Sequence, residues 1–142
     1  MKELEMSPKP VERNKEYFPL PLVGEVLDNG FSFMLTHPFI FTDGEEKYEA
    51  PAFFVTDFNS TPRGLWNYLP PWEYPYAGVI HDLLYRFNGV SRLKADGVHR
   101  RILALSGCRP TKSTTAYLAL RAFGWVKWNE YRASDPNTLT KP

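Results

Sequence analysis

An α+β fold, with N-terminal antiparallel β-hairpins forming a small sheet packed on about three C-terminal α-helices, is what the sequence predicts, and three observations carry it. Between Val23 and Val55, apolar residues alternate with polar ones around Asn-Gly and Asp-Gly turn signals. After Pro75 the apolar spacing switches to the helical period, bounded by capping and stop residues. Thirteen prolines concentrate in the first half and aromatic residues make up 15% of the chain, which suits a rigid, loop-rich sheet region followed by helices.

Residues 1–22 carry many charges together with Pro8, Pro10, Pro19 and Pro21, and no period that would bury a face. They read as an extended arm, either idle or ordering on a partner surface that supplies the missing burial. Residues 23–133 form the predicted single domain, and 134–142 a C-terminal tail. Val23 and Val26 lead into Asp28-Asn29-Gly30, after which Phe31, Phe33 and Leu35 face one way and Ser32 and Met34 the other, as in a hairpin. Phe39-Ile40-Phe41 is a short strand, and Asp43-Gly44 supplies the left-handed residue of a second turn. Tyr48 to Val55 is expected to be one further strand, at an edge or bulged because Pro51 cannot donate to a ladder.

A single helical turn is expected at 64–68. Pro75 then suits the first turn of a helix carrying Tyr76, Ala77, Ile80, Leu83, Leu84 and Phe87, stopped by Asn88-Gly89. Ser91 is a good N-cap for a second helix with Ala95, Val98, Ile102 and Leu105 on its apolar face, closed by Gly107. A third helix is expected from about Ser113 to Tyr131, capped by Thr111 or Ser113.

Composition narrows the function. At 142 residues one core is expected. Seventeen basic against sixteen acidic side chains give no field to steer a polyanion, so no nucleic-acid partner is expected. Cys108 stands alone, which excludes an internal disulfide framework and a Cys-based zinc site and suits a reducing cytoplasm; a small buried hydrophobe is its ordinary role. No signal peptide is expected, and no window approaches the roughly eighteen apolar residues of a transmembrane helix. No glycine-rich phosphate loop and no Ser or Cys nucleophile motif appears, so no organic cofactor is expected.

The informative stretch is VIHDLLYRFNGVSRLKAD, from Val79 to Asp96. His81, Asp82 and Tyr85 are expected on the edge of the first helix opposite its main apolar stripe. Gly78, one turn earlier, leaves room for a ligand or for another backbone. If the next helix packs antiparallel, Asp96 lies on the side of His81, where its carboxylate can fix the tautomer and leave the other ring nitrogen as a general base. Asp82 points about 100° away around the helix and can hold a cation. An ordinary reading stands beside this one: Asp96 favours the helix dipole near its start and can pair with Arg92 or Arg100, worth a few tenths of a kcal/mol. Upstream, FFVTDFNSTPRGLW crowds Asp57, Asn59, Ser60 and Arg63 into one loop; Asp57 either caps the turn or offers oxygen to a metal. His99 is expected on a helix surface or boundary, and His37, before Pro38, to be structural.

PFIFTDGEEKYEAPAFFVTDFNSTPRGLW, YAGVIHDLLYR, SRLKAD and YLALRAFGW together resemble the phage and prophage domain-of-unknown-function family 1353, over about Phe31 to Trp128. The name carries no activity. A shorter resemblance does: H-D-x-x-Y followed by A-D on the next helix is similar to the secreted and parvoviral phospholipase A2 core. That resemblance implies His81 as general base, Asp82 as calcium carboxylate, Tyr85 as supporting phenol and Asp96 as the carboxylate orienting His81. The glycine-rich calcium loop of that family is absent, so the loop from Asp57 to Arg63 would have to supply oxygens by another geometry.

Two expectations follow. One is a phage hydrolase with a His81–Asp96 dyad, possible calcium at Asp82 and Asp57, and Asn59, Ser60 and Arg63 completing a site for a phospholipid or cell-envelope ester. The other is a non-enzymatic virion component of the tail or its tip, meeting other virion proteins through the arm. In both, synthesis is in the host cytoplasm, with virion association as a further expectation.

Overall fold

In the computed structural model, which describes residues 12–58, 63–70, 72–87 and 89–134, the short alternating stretches pair into two small antiparallel sheets. Strand β1 (Gly24–Val26) pairs with β2 (Phe33–Leu35), Gly24 opposite Leu35, through a turn in which the Asn29 side-chain oxygen Oδ1 accepts from the Phe31 and Ser32 amides and Gly30 takes φ 75°. Strand β3 (Phe39–Asp43) pairs with β4 (Glu46–Ala50) across Gly44, at φ 63°.

The single strand expected from Tyr48 to Val55 is two strands. Pairing with β3 stops at Ala50, Pro51 has no N–H to continue it, and Phe53 turns the chain at φ 70°. The chain re-enters as β5 (Val55–Thr56), which joins β2 in the other sheet, Phe33 opposite Thr56.

After a 3-10 turn at Arg63–Leu65, four α-helices follow among the described residues: α1 (Pro75–Arg86), α2 (Arg92–Leu105), α3 (Pro110–Phe123) and α4 (Trp125–Ser134). Pro75 opens α1, the Ser91 hydroxyl caps α2 by accepting from the Lys94 amide at 3.1 Å, and Gly107 turns the chain at φ 87°. Helix α3 starts earlier than expected, with Arg109 at the N-cap and Pro110 in its first turn; neither Thr111 nor Ser113 is the cap. The third expected helix is realised as two. Arg92 donates to the Leu120 and Arg121 carbonyls at 2.8 and 3.2 Å, and so engages the acceptor that an unbroken helix would offer to Trp125.

Helix α1 packs against α2, α4, β4 and β5. Every residue from Ala77 to Tyr85 is consequently buried, so α1 has no solvent-facing edge opposite an apolar stripe, contrary to expectation. Phe18, within the segment read as an arm, is 2% exposed and packs on Phe39, Phe41 and Tyr76 with ring centroids 4.8–6.0 Å apart. The Tyr17 carbonyl accepts from the Thr42 amide at 2.8 Å, so the described part of that segment belongs to the packed body. No helix of the described residues is long and apolar enough to cross a membrane.

Candidate functional site

A helix buried on all sides can carry polar side chains only if they find partners, because an unpaired buried polar group costs about 1–3 kcal/mol. Helix α1 buries His81 and Asp82, 3% and 4% exposed, and α2 answers with Asp96, at 0%. Asp96 Oδ1 lies 2.9 Å from His81 Nε2 and accepts from the Tyr85 hydroxyl at 2.6 Å. Its Oδ2 accepts from Arg121 of α3 at 2.8 Å and from Arg92 at 3.4 Å. One carboxylate therefore ties α1, α2 and α3 together.

The expected His81–Asp96 contact and the expected Arg92 pairing are both present; Arg100 instead donates to Thr114. Arg121, 25 positions from Asp96, had no signal in local spacing beyond being a basic residue inside the apolar segment YLALRAFGW. Gly124 also belongs to the assembly. A Cβ there would sit 2.5 Å from the Leu120 carbonyl oxygen and from the Tyr85 hydroxyl, and 3.1 Å from Arg92.

Burial pushes the His81 imidazole below its ordinary value and outweighs the opposite pull of Asp96. Burial acts against ionising Asp96, but hydrogen bonds from His81, Tyr85 and Arg121 prevail and its carboxyl lies below its ordinary value. The pair is thus a neutral imidazole against a carboxylate. An ionised carboxylate only accepts, so Nε2 carries the proton and Nδ1 the lone pair. Burial followed by the Asp96 hydrogen bond pushes the Tyr85 hydroxyl far up, so it stays a donor.

Asp82 and Asp57, expected to bind a cation, are both held by α4. Tyr131 donates to Asp82 Oδ1 at 2.8 Å and Arg86 Nε stands 3.6 Å from it; Lys127 reaches Asp57 at 3.3 Å. Asp82 Oδ2 is buried with no hydrogen-bond partner among the described residues. Among the described residues no three His, Cys, Asp or Glu converge on a point where a metal would sit.

The room beside Gly78 is taken by another backbone: a Cβ there would lie 3.0 Å from Phe58 Cα and 3.1 Å from its carbonyl oxygen. The chain leaving β5 thus crosses α1 one turn before His81. Arg63 is exposed, its guanidinium over the Trp66 ring, and Asn59 and Ser60 lie outside the described residues. His37 is exposed beside Thr36. His99 is not on the surface. It is 4% exposed because α2 turns it toward α1, its ring edge-on to His81 with centroids 5.0 Å apart, and its Nδ1 has no partner among the described residues. Cys108 is a buried thiol, as expected of a small hydrophobe.

The family model described as "Protein of unknown function (DUF1353)" matches residues 33–120, and the chain belongs to that family. Neither a curated protein nor a solved structure matches it. The matched span contains His81, Asp82, Tyr85, Asp96 and the Leu120 carbonyl that Arg92 engages; Arg121, Gly124 and all of α4 lie beyond it.

Proposed function

We propose that this DUF1353 protein is a phage-encoded hydrolase acting on an ester of lipid or cell-envelope material, with His81 as its general base. The observation that carries the proposal is the 2.9 Å contact between His81 Nε2 and the fully buried Asp96 carboxylate, which fixes the tautomer of the imidazole. In the proposed reaction His81 Nδ1 takes a proton from water, the hydroxide oxygen attacks the ester carbonyl, and the tetrahedral intermediate collapses with release of acid and alcohol. The alkoxide leaves with the proton returned from His81. Asp96 stabilises the transient imidazolium, and Tyr85 holds Asp96. The local similarity to phospholipase A2 makes phospholipid the first substrate to try. The support for calcium is narrower, consisting of the orphaned Asp82 Oδ2 in a protein whose Asp82 and Asp57 already face Arg86 and Lys127.

The test is fatty-acid release from mixed phospholipid vesicles, with calcium or with chelator, by the protein and by a folded His81→Ala variant. Release by the protein and not by the variant is expected. Absence of release under every condition overturns the reading for phospholipid esters.

A second reading, a non-enzymatic component of a phage tail, is favoured by the Asp96 carboxylate, which at 0% exposure joins three helices as a structural tie would. On that reading the protein is made in the host cytoplasm, meets other virion proteins through the N-terminal segment 1–22, and His81→Ala loses stability without any activity to lose.

A further inference from the structure

We propose that the corner between α3 and α4 is a docking surface for an anionic lipid membrane. Leu118, Phe123, Trp125 and Val126 are 61%, 63%, 54% and 44% exposed, four large apolar side chains inside nine consecutive residues. Burial of such side chains is the dominant source of stability, and large apolar side chains left exposed around one corner of a fold mark an interaction surface. The corner is also rigidly made. Gly124 packs on Tyr85 and Arg92 while Arg92 holds the last carbonyls of α3, so the buried cluster itself turns Phe123 and Trp125 outward.

Charge selects the partner. The near-zero total charge conceals two unlike halves: residues 92–134 carry nine Lys and Arg against only Asp96 and Glu130. Lys94, Arg101, Lys112 and Lys127 are paired with Glu46, Asp43, Glu73 and Asp57 from earlier in the chain. Arg100 is exposed and meets no carboxylate among the described residues. Arg100 lies over Tyr117 and donates to Thr114, on the turn of α3 that carries Leu118. Arg121 stands three positions after Leu118 and four before Trp125, its side chain 31% exposed. An aromatic and aliphatic knob with guanidiniums beside it suits the boundary between acyl chains and anionic headgroups, where Trp and Phe settle and Arg meets phosphate. A nucleic acid would use the guanidiniums but not Leu118 and Val126, which offer no face on which a base stacks.

Apart from Arg121, which also holds Asp96, this surface uses none of the residues of the candidate site, and it holds whether or not His81 is catalytic. The test is co-sedimentation of the full-length protein with vesicles of phosphatidylcholine alone or with added phosphatidylglycerol, at low and high salt. Binding to the anionic vesicles is expected to exceed binding to the neutral ones by roughly tenfold and to weaken with salt. A Phe123→Ser, Trp125→Ser variant, altered only at exposed positions, is expected to lose most of it with an unchanged circular dichroism spectrum. Equal binding by the variant, no binding to either vesicle, or displacement from the vesicles by an oligonucleotide that binds the variant equally well would each overturn the proposal. Vesicle binding without fatty-acid release would sink the phospholipid-ester reading of His81 alone and leave the docking surface standing.

Discussion

At the scale of single residues, Asp96 decides most. It faces two guanidiniums, an imidazole and a phenol from a fully buried position. Asp96→Asn keeps its shape but leaves Arg92 and Arg121 without their counter-charge. Breaking a buried pair from one side costs about 3–5 kcal/mol, and a urea titration near neutral pH should show a loss of that order.

The histidines give a pH dependence whose sign follows from burial. Both His81 and His99 are held below the ordinary value of 6.5, His99 well below it. Unfolding restores that value, so below it the unfolded chain binds protons that the folded chain refuses, and stability falls as pH drops. Above 6.5 this contribution is fully present. Asp96, with its carboxyl lowered from 3.8, adds stability that is present above 3.8 and lost as pH falls through its folded value. His99→Phe should flatten the decline below 6.5 and, by removing the orphaned Nδ1, raise stability by about 1 kcal/mol. An unchanged slope in that variant would show that His99 does not contribute.

At the scale of elements, the starts of α1 and α2 and the stop of α2 were the most legible features, whereas the start of α3 was not. Pro75, Ser91 and Gly107 act through their own backbone and nearest neighbours, so a local reading found them. The break between α3 and α4 was not legible, because its causes, Arg92 and Tyr85, come from other helices. Two glycine substitutions separate these influences. Gly97→Ala, in a helix interior with no atom near the added carbon, should stabilise α2 by about 0.5–1 kcal/mol. Gly124→Ala should cost about 1–3 kcal/mol, since its Cβ would meet the Leu120 carbonyl oxygen and the Tyr85 hydroxyl. Thermal melts of the two variants should move in opposite directions.

At the scale of the whole molecule, the sheets and helices meet around α1, with Phe18 closing the sheet side. Phe18→Ala should therefore cost about 3–5 kcal/mol, as in a core position and not as in an arm. Denaturation curves of that variant would show it. The ion pairs Lys94–Glu46 and Arg101–Asp43 bridge α2 to the β3–β4 hairpin at half-exposed positions. Pairs of that kind contribute about 0–1 kcal/mol each, so apolar packing, not these bridges, holds the layers together.

The sequence by itself determined the α+β order, the two hairpins and the starts of α1 and α2, and it offered the pairing of His81 with Asp96 as one of two readings. Each of these depends on local conformational preference or on a spacing that a short antiparallel helix pair converts directly into contact. Tertiary structure alone decided that Pro51 divides one apolar run between two sheets, that α1 is buried on every side, that His99 is inside, and that Arg121 and Gly124 complete the cluster. The physical reason is common to all four. Burial and charge pairing are set by which chain segments arrive from far along the sequence, and neither periodicity nor propensity records that arrival.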